Sequence, residues 1–364
     1  MPSVPKRHHF LPRFYLEGFT RGGSLWLYDR ERKQFRSGTP EKTAIIGHYY
    51  AFETKSGERN YSVEELLSQV EGKAKDVILR LQTRAEITIR ERLDLALFIA
   101  LLMTRTPKFE REVQQIADSA AKRIMQHMVP SVEAAAQFLC RNKASSEITP
   151  EEIFKFIHAE EFNLETPRTF VIHTMLEKAP KAGMHVFLMN WTIAHADQRT
   201  SFITTDEPLG FVVPDEFRRT HEPVLGLTSE KVTKLIPLTQ TTALMVGAYG
   251  GELNHCDLSR EEVRHFNIAV ATECEGYVIG RDEALVRSIV RASKVDEASP
   301  GTKMRVDHIL HPTDPTRTYL VARRVTADCP EVPPEIIPHE GQTPTQSERG
   351  PDEGAESAGS GTRP

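Results

Sequence analysis

Hydrophobic positions along the chain follow two rhythms, and the change between them divides it. Leu25-Trp26-Leu27-Tyr28 is a short apolar run, the charged stretch Asp29–Lys33 turns it, and a second strand forms around Phe35, which predicts a β-hairpin. Gly47–Phe52 supplies a third short aromatic strand or a strand-like loop. Behind Ser62 and Glu65, spaced as a capping box, Leu66, Val70, Ala74, Val77, Ile78 and Leu81 recur on one face and predict a helix over about 63–84. Arg90–Thr106 contains LALFIALLM, apolar on nearly all sides, as in a helix with neighbours on several faces. Pro107 removes a backbone donor and breaks or kinks that helix, after which the helical period runs through Met128 and stops at Pro130. Thr149-Pro150 and Thr166-Pro167 each place a hydroxyl at a cap and proline at the first helical position, predicting two smaller helices.

Strand-forming residues then take over. His185–Ala194, Ser201–Thr205, Val224–Thr228, Lys234–Pro237 and Thr242–Ala248 are β-rich. One amphipathic helix returns at Ser259–Glu273, with Ser259 and Glu262 as its capping box. Tyr277–Gly280 is a strand, Glu283–Ala292 a short helix, and Met304–Leu310 and Thr318–Val325 are closing strands. The order predicts an α+β fold: a mixed or antiparallel sheet from the N-terminal hairpin and the C-terminal strands, with a helical bundle inserted at about 62–183. Residues 1–325 form one domain in this reading. From 326 to 364 Pro, Glu, Gly, Ser and Thr dominate, too little apolar area to offset the entropy of ordering, so a disordered tail is expected.

Composition narrows the class. A net charge of −5 over 364 residues excludes a molecule that is basic overall, although Lys6, Arg7, Arg13 and Arg21 allow a local basic patch. Cys140, Cys256, Cys274 and Cys329 show no CxxC spacing, which argues against a zinc ribbon or a disulfide scaffold and suits a reducing compartment. The longest apolar run, Leu95–Met103, is about half of what a bilayer requires. A cytoplasmic protein without a membrane partner is the expectation.

Two islands carry candidate chemistry. Lys6–Thr20, KRHHFLPRFYLEGFT, packs imidazoles, cations and aromatic rings together, and Pro12 followed by RFYLEG predicts one helical turn capped by Gly18. His8 or His9 would move a proton, and Arg13 would hold an anionic group such as phosphate. The structural alternative is a strap whose aromatics fill a groove. In Phe202–Pro208, FITTDEP, an apolar pair builds a buried strand and Asp206 and Glu207 emerge at its end, where metal ligands and general bases sit. Here the alternative is a turn in which Asp206 bonds downstream backbone amides. Glu64 and Glu71 lie seven apart on one helix face with Arg105 on the next helix. His308 and His311 lie in strand-like sequence, with side chains on opposite faces, and Trp26 and Tyr28 fit hairpin packing better than base stacking. P-loop, Rossmann, HExxH and GxSxG motifs are absent.

The opening block from Lys6 to Phe19 resembles the signature of domain of unknown function 4238. LWLYDR, Glu64, Glu71, Arg105-Thr106-Pro107, Trp191, FITTDEP, LIPLT at Leu235–Thr239 and Asn267 before Tyr277 follow in order. The resemblance implies that His8, Pro12, Tyr15, Arg105, Asp206 and Pro208 are family-type positions; it implies no activity. Taken with the residues, two expectations stand. One is a phosphodiester hydrolase of nuclease type acting on nucleic acid or nucleotide. There Asp206 with Glu207 or Glu71 would hold a divalent Mg or Mn ion, His8 or His9 would carry the proton, and Arg13 or Arg105 would stabilise phosphate charge. The other is a non-enzymatic binding or sensing protein in which the same residues lock the strap to the sheet and the helical insert offers a partner surface.

Overall fold

The computed structural model describes residues 7–47, 49–50, 52–53, 59–142, 148–160, 162–213, 227, 229–297, 303–311 and 314–325. Strand β1 (Arg7–His9) leads through Pro12, already at φ −56°, into the predicted single turn α1 (Arg13–Glu17), which ends at Gly18. The hairpin β2 (Leu25–Asp29) and β3 (Gln34–Gly38) forms as the alternation predicts, with Leu27 opposite Arg36. β4 (Ile45–Gly47) pairs antiparallel with β1 and sets His8 opposite Ile46. Tyr49 and Tyr50 form a turn rather than a strand, and the two-residue strands β5 (Phe52–Glu53) and β6 (Arg59–Asn60) pair beyond it.

The helical layer follows: α2 (Ser62–Gln82), α3 (Ile89–Thr104), α4 (Pro107–Met128), α5 (Val132–Arg141), α6 (Pro150–His158) and α7 (Arg168–Leu188). Its caps correct the sequence reading in three places. Tyr61, not Ser62, caps α2, and the complete capping box lies at Thr88 and Glu91 of α3. Pro107 does not kink a helix but starts one, because the Thr106 hydroxyl accepts the Phe109 amide and proline needs no donor at the first position. Pro167 itself caps α7, which runs past Pro180 to Leu188, so the strand predicted from His185 begins only at Met189. Close packing overrides local propensity there: Gly183 lies so near α3 that an added Cβ would come within 3.2 Å of the Leu97 Cα.

The remaining elements are β7 (Met189–Ala196), β8 (Thr204–Thr205), β9 (Gly210–Val212), β10 (Thr233–Pro237), β11 (Thr242–Tyr249), β12 (Leu253–Leu258), α8 (Arg260–Thr272), β13 (Tyr277–Gly280), α9 (Glu283–Ser293), β14 (Lys303–His311) and β15 (Asp314–Val325). The single sheet predicted from the order resolves into two principal ones. One runs β12-β7-β11-β10-β9, antiparallel except for β12 beside β7, and the other runs β3-β2-β13-β8. Only Thr204 and Thr205 of the predicted Ser201–Thr205 strand join a ladder. Phe202 and Ile203 leave it, their amides bonding the Gln240 carbonyl and the Asn267 side chain, so this segment crosses between the sheets. The closing strands pair with each other and dock on α4, where the Val306 amide donates to Ser119 Oγ. The strand predicted at Val224–Thr228 lies outside the described residues apart from Leu227, and so does the tail from 326.

One hydrophobic core joins Leu11, Tyr15 and Phe19 to Phe98 of α3 and to Trp191 and Leu244 of the larger sheet. A second gathers Phe202, Ile203, Val263, Phe266, Val278 and Val286 under α8 and α9. The two signature islands sit where these cores meet.

Candidate functional site

His8 is 1% exposed, held between β4 and the tyrosine turn. Its Nδ1 accepts the Tyr50 amide at 3.0 Å, so in the neutral ring the proton resides on Nε2, which faces Glu64 Oε2 at 3.3 Å. The ring stacks on Tyr50 at 5.8 Å. His9, on the other side of the strand, donates from Nδ1 to the Thr43 carbonyl at 3.1 Å. Burial pushes its pKa below the ordinary imidazole value.

Arg105 caps the end of α3 and is 3% exposed. Its Nη1 meets Glu71 Oε1 at 2.6 Å, Nη2 donates to the His9 carbonyl at 2.6 Å, and Nε donates to the Tyr50 hydroxyl at 3.2 Å. The planar guanidinium spreads its donors over three nitrogens and so reaches a carboxylate, a carbonyl and a hydroxyl that lie apart. Arg105 therefore ties β1, the tyrosine turn and α2 together.

The two islands meet through Tyr15. Its hydroxyl donates to the Pro237 carbonyl at 2.9 Å and lies 2.7 Å from Thr204 Oγ1. Because the carbonyl can only accept, the Tyr15 proton goes to Pro237 and the Thr204 hydroxyl donates to Tyr15. Complete burial pushes the phenol pKa up. The N-terminal block, FITTDEP and the LIPLT strand thus share one buried hydrogen-bonded node.

Past that node the chain turns. The Asp206 carboxylate accepts the amides of Glu275 at 3.2 Å, Gly276 at 2.7 Å and Tyr277 at 3.1 Å. The approach is close, since an added Cβ at Gly276 would come within 3.1 Å of Asp206 Oδ2. Burial raises the Asp206 pKa, and the three amide bonds oppose that shift. Glu207 is buried and its pKa is raised well above the ordinary value, first by burial and then by the neighbouring Asp206 charge, with Lys108 and a hydrogen bond from Thr106 pulling the other way. Among the described residues, Glu207 Oε1 and Glu275 Oε1 are buried and find no hydrogen-bond partner. Thr106 follows Arg105 in sequence, so the turn between α3 and α4 serves both clusters.

The family pattern described as protein of unknown function (DUF4238) matches residues 7–284. The chain belongs to this family. No curated protein and no solved structure matches it.

In this DUF4238 protein the candidate residues fall into separate clusters. His8, His9, Arg105 and Glu71 gather around Tyr50, whereas Asp206 and Glu207 sit with Glu275 and Lys108. Glu71 pairs with Arg105, and among the described residues no group of three or more His, Cys, Asp and Glu side chains is placed to hold a metal ion. Arg13 stands at the surface, engaged by Glu17 at 2.9 Å and Glu41 at 2.7 Å, and does not reach into either cluster. Tyr28 packs against Phe35 and donates to Asp296. The described residues contain no helix long and apolar enough to cross a membrane, and Cys140, Cys256 and Cys274 are free thiols.

Two structural residues escaped the sequence reading. Thr204 was one polar letter in a polar tetrad; its pairing with Tyr15 spans 189 positions and has no local signal. Arg92, in the first turns of an apolar helix, donates to the Phe187, Met189 and Glu252 carbonyls and covers the Trp191 ring at 4.5 Å. A charge on an otherwise apolar face was its available clue.

Proposed function

We propose that this protein is a non-enzymatic binding or sensing protein whose two signature islands lock the N-terminal strap to the sheets. The observation that supports it best is the state of Asp206. A carboxylate that accepts three backbone amides and is 7% exposed already spends its lone pairs on its own chain. Arg105 is occupied in the same way by three groups of the protein.

The test is alanine at His8 and, separately, at Asp206. A lock loses about 1–3 kcal/mol of stability in each variant, the cost of an orphaned buried partner. The wild type is expected to cleave neither DNA, RNA nor small nucleotides. Cleavage by the wild type that vanishes in either variant while melting stays unchanged contradicts the proposal.

Phosphodiester hydrolysis with a bound Mg or Mn ion is the second reading. What favours it is the pair of buried oxygens that find no partner among the described residues, Glu207 Oε1 and Glu275 Oε1, beside Asp206. Stoichiometric divalent metal in the purified protein, lost with Glu207→Gln, would support this reading over the first.

A further inference from the structure

On the far side of Phe202 and Ile203 from the tyrosine node, a cleft of about 540 Å³ opens between α8, α9 and the loop that feeds β8. Its walls follow from helical spacing. Arg260, Val263, Arg264 and Asn267 form one stripe of α8, and Leu285, Ser288 and Ile289 form the facing stripe of α9. Val263 and Ile289 are buried core residues, and Asn267 is fully used beneath them, accepting the Ile203 amide and donating to the Ser201 carbonyl. The floor is rigid and the rim is cationic.

Four arginines line this cleft, Arg199, Arg260, Arg264 and Arg281, against one carboxylate, Asp282. Arg281 is paired with Asp282 at 3.3 Å. Arg264 bonds only the neutral Ser288 hydroxyl at 2.8 Å, and among the described residues neither Arg199 nor Arg260 forms an ion pair. The nearby acids are committed elsewhere: Asp197 accepts the amides of Arg199 and Thr200, Glu262 caps its own helix, and Glu283 pairs with Arg287. Among the described residues Arg260 and Arg264 meet no carboxylate and Arg199 has only the charge of Asp197 near it, so guanidinium groups outnumber carboxylates around one concavity in a chain whose net charge is −5. Repelling cations held in one cleft create a strong local positive potential, which an anion of matching charge relieves.

We infer that this cleft binds a small ligand carrying two or more linked phosphates, of the size of a nucleoside diphosphate. The volume falls in the range of small-ligand sites, about 300–1,000 Å³. A terminal phosphate carries about −1.5 to −2 charge, so a diphosphate group balances the excess guanidiniums, each of which can grip phosphate with a two-pronged fork. Among the described residues that line the cleft none is aromatic, so they offer no stacking platform of the kind that holds single strands, and the phosphates are the recognised part. The inference deepens the binding reading and rests on it in one respect, that the ligand leaves unchanged.

Calorimetric titration of the full chain with pyrophosphate, ADP, inorganic phosphate and an oligothymidylate tests it. Pyrophosphate and ADP are expected to bind with similar affinity, and inorganic phosphate about tenfold or more weaker. The double variant Arg199→Ala/Arg260→Ala, which alters only exposed side chains, should weaken pyrophosphate about tenfold with unchanged melting, and Arg141→Ala on α5 should have no effect. A folded protein that ignores pyrophosphate, equal weakening by Arg141→Ala, or binding of the oligonucleotide alone overturns the inference. ADP bound through these arginines and then cleaved would uphold the cleft and overturn the non-enzymatic reading, so the two failures are distinguishable.

Discussion

Tyr15→Phe removes one oxygen from the node that joins the two islands and leaves the ring in place. The hydroxyl makes two buried hydrogen bonds, at 2.7 and 2.9 Å, and the residue is 1% exposed, so water cannot replace them. At roughly 1 kcal/mol net for each, with a further share for the donor left at Thr204, the substitution should cost about 2 kcal/mol. For a protein of this size that lowers the melting temperature by about 3 °C. Thr204→Val, nearly isosteric, should cost about 1 kcal/mol, and the double variant should cost less than the two together by about 1 kcal/mol, since the shared bond is lost once. Urea unfolding followed by circular dichroism measures all four corners of this cycle. Melting of Tyr15→Phe within about 1 °C of wild type, or strictly additive losses, would refute the node.

Arg105→Lys should destabilise by about 2–3 kcal/mol, because an ammonium cannot serve Glu71, the His9 carbonyl and the Tyr50 hydroxyl together; a loss under about 0.5 kcal/mol in urea unfolding would show that the fork is dispensable. Glu207 gives a pH signature. Its folded pKa lies above the ordinary 4.5, so its contribution is fully present below pH 4.5 and is lost as pH rises through the folded value. Glu207→Gln removes that titration, and its melting temperature should gain on wild type as pH rises above about 4.5, levelling off once the folded carboxyl has ionised; a constant difference above about pH 5 would mean that the carboxyl ionises normally.

Much of the fold was legible because it depends on local period and caps. The LWLYDR hairpin, the turn after Pro12, the helix capped by Ser259 and Glu262, and the strands around Leu235 and Met245 all form where the pattern puts them. Failures arose where tertiary contact decides. The Gly183 contact with α3 extends α7 through residues of strand character, and β12, which the sequence reading missed, exists because β7 offers it a parallel edge. For the site, the two islands that the sequence singles out do meet, through residues that no local pattern marks. His8 and Asp206 each looked like chemistry, yet what bridges their islands is a phenol and a threonine hydroxyl, and a hydrogen bond across 189 positions has no signature in spacing. The arginine cleft was equally hidden, since its four guanidiniums come from a loop, one helix and the turn after β13, and none stands in a motif.

Native-state hydrogen exchange on the unmodified protein tests the lock most directly. The amides of Glu275, Gly276 and Tyr277 are bonded to Asp206, and the Tyr50 amide is bonded to His8. If these side chains hold the molecule together, the four amides exchange only through global unfolding, as slowly as those of the central strands β7 and β11. Exchange through local opening, with protection several kcal/mol below that of β7, would mean that the islands line a working site that breathes, and the lock would be contradicted.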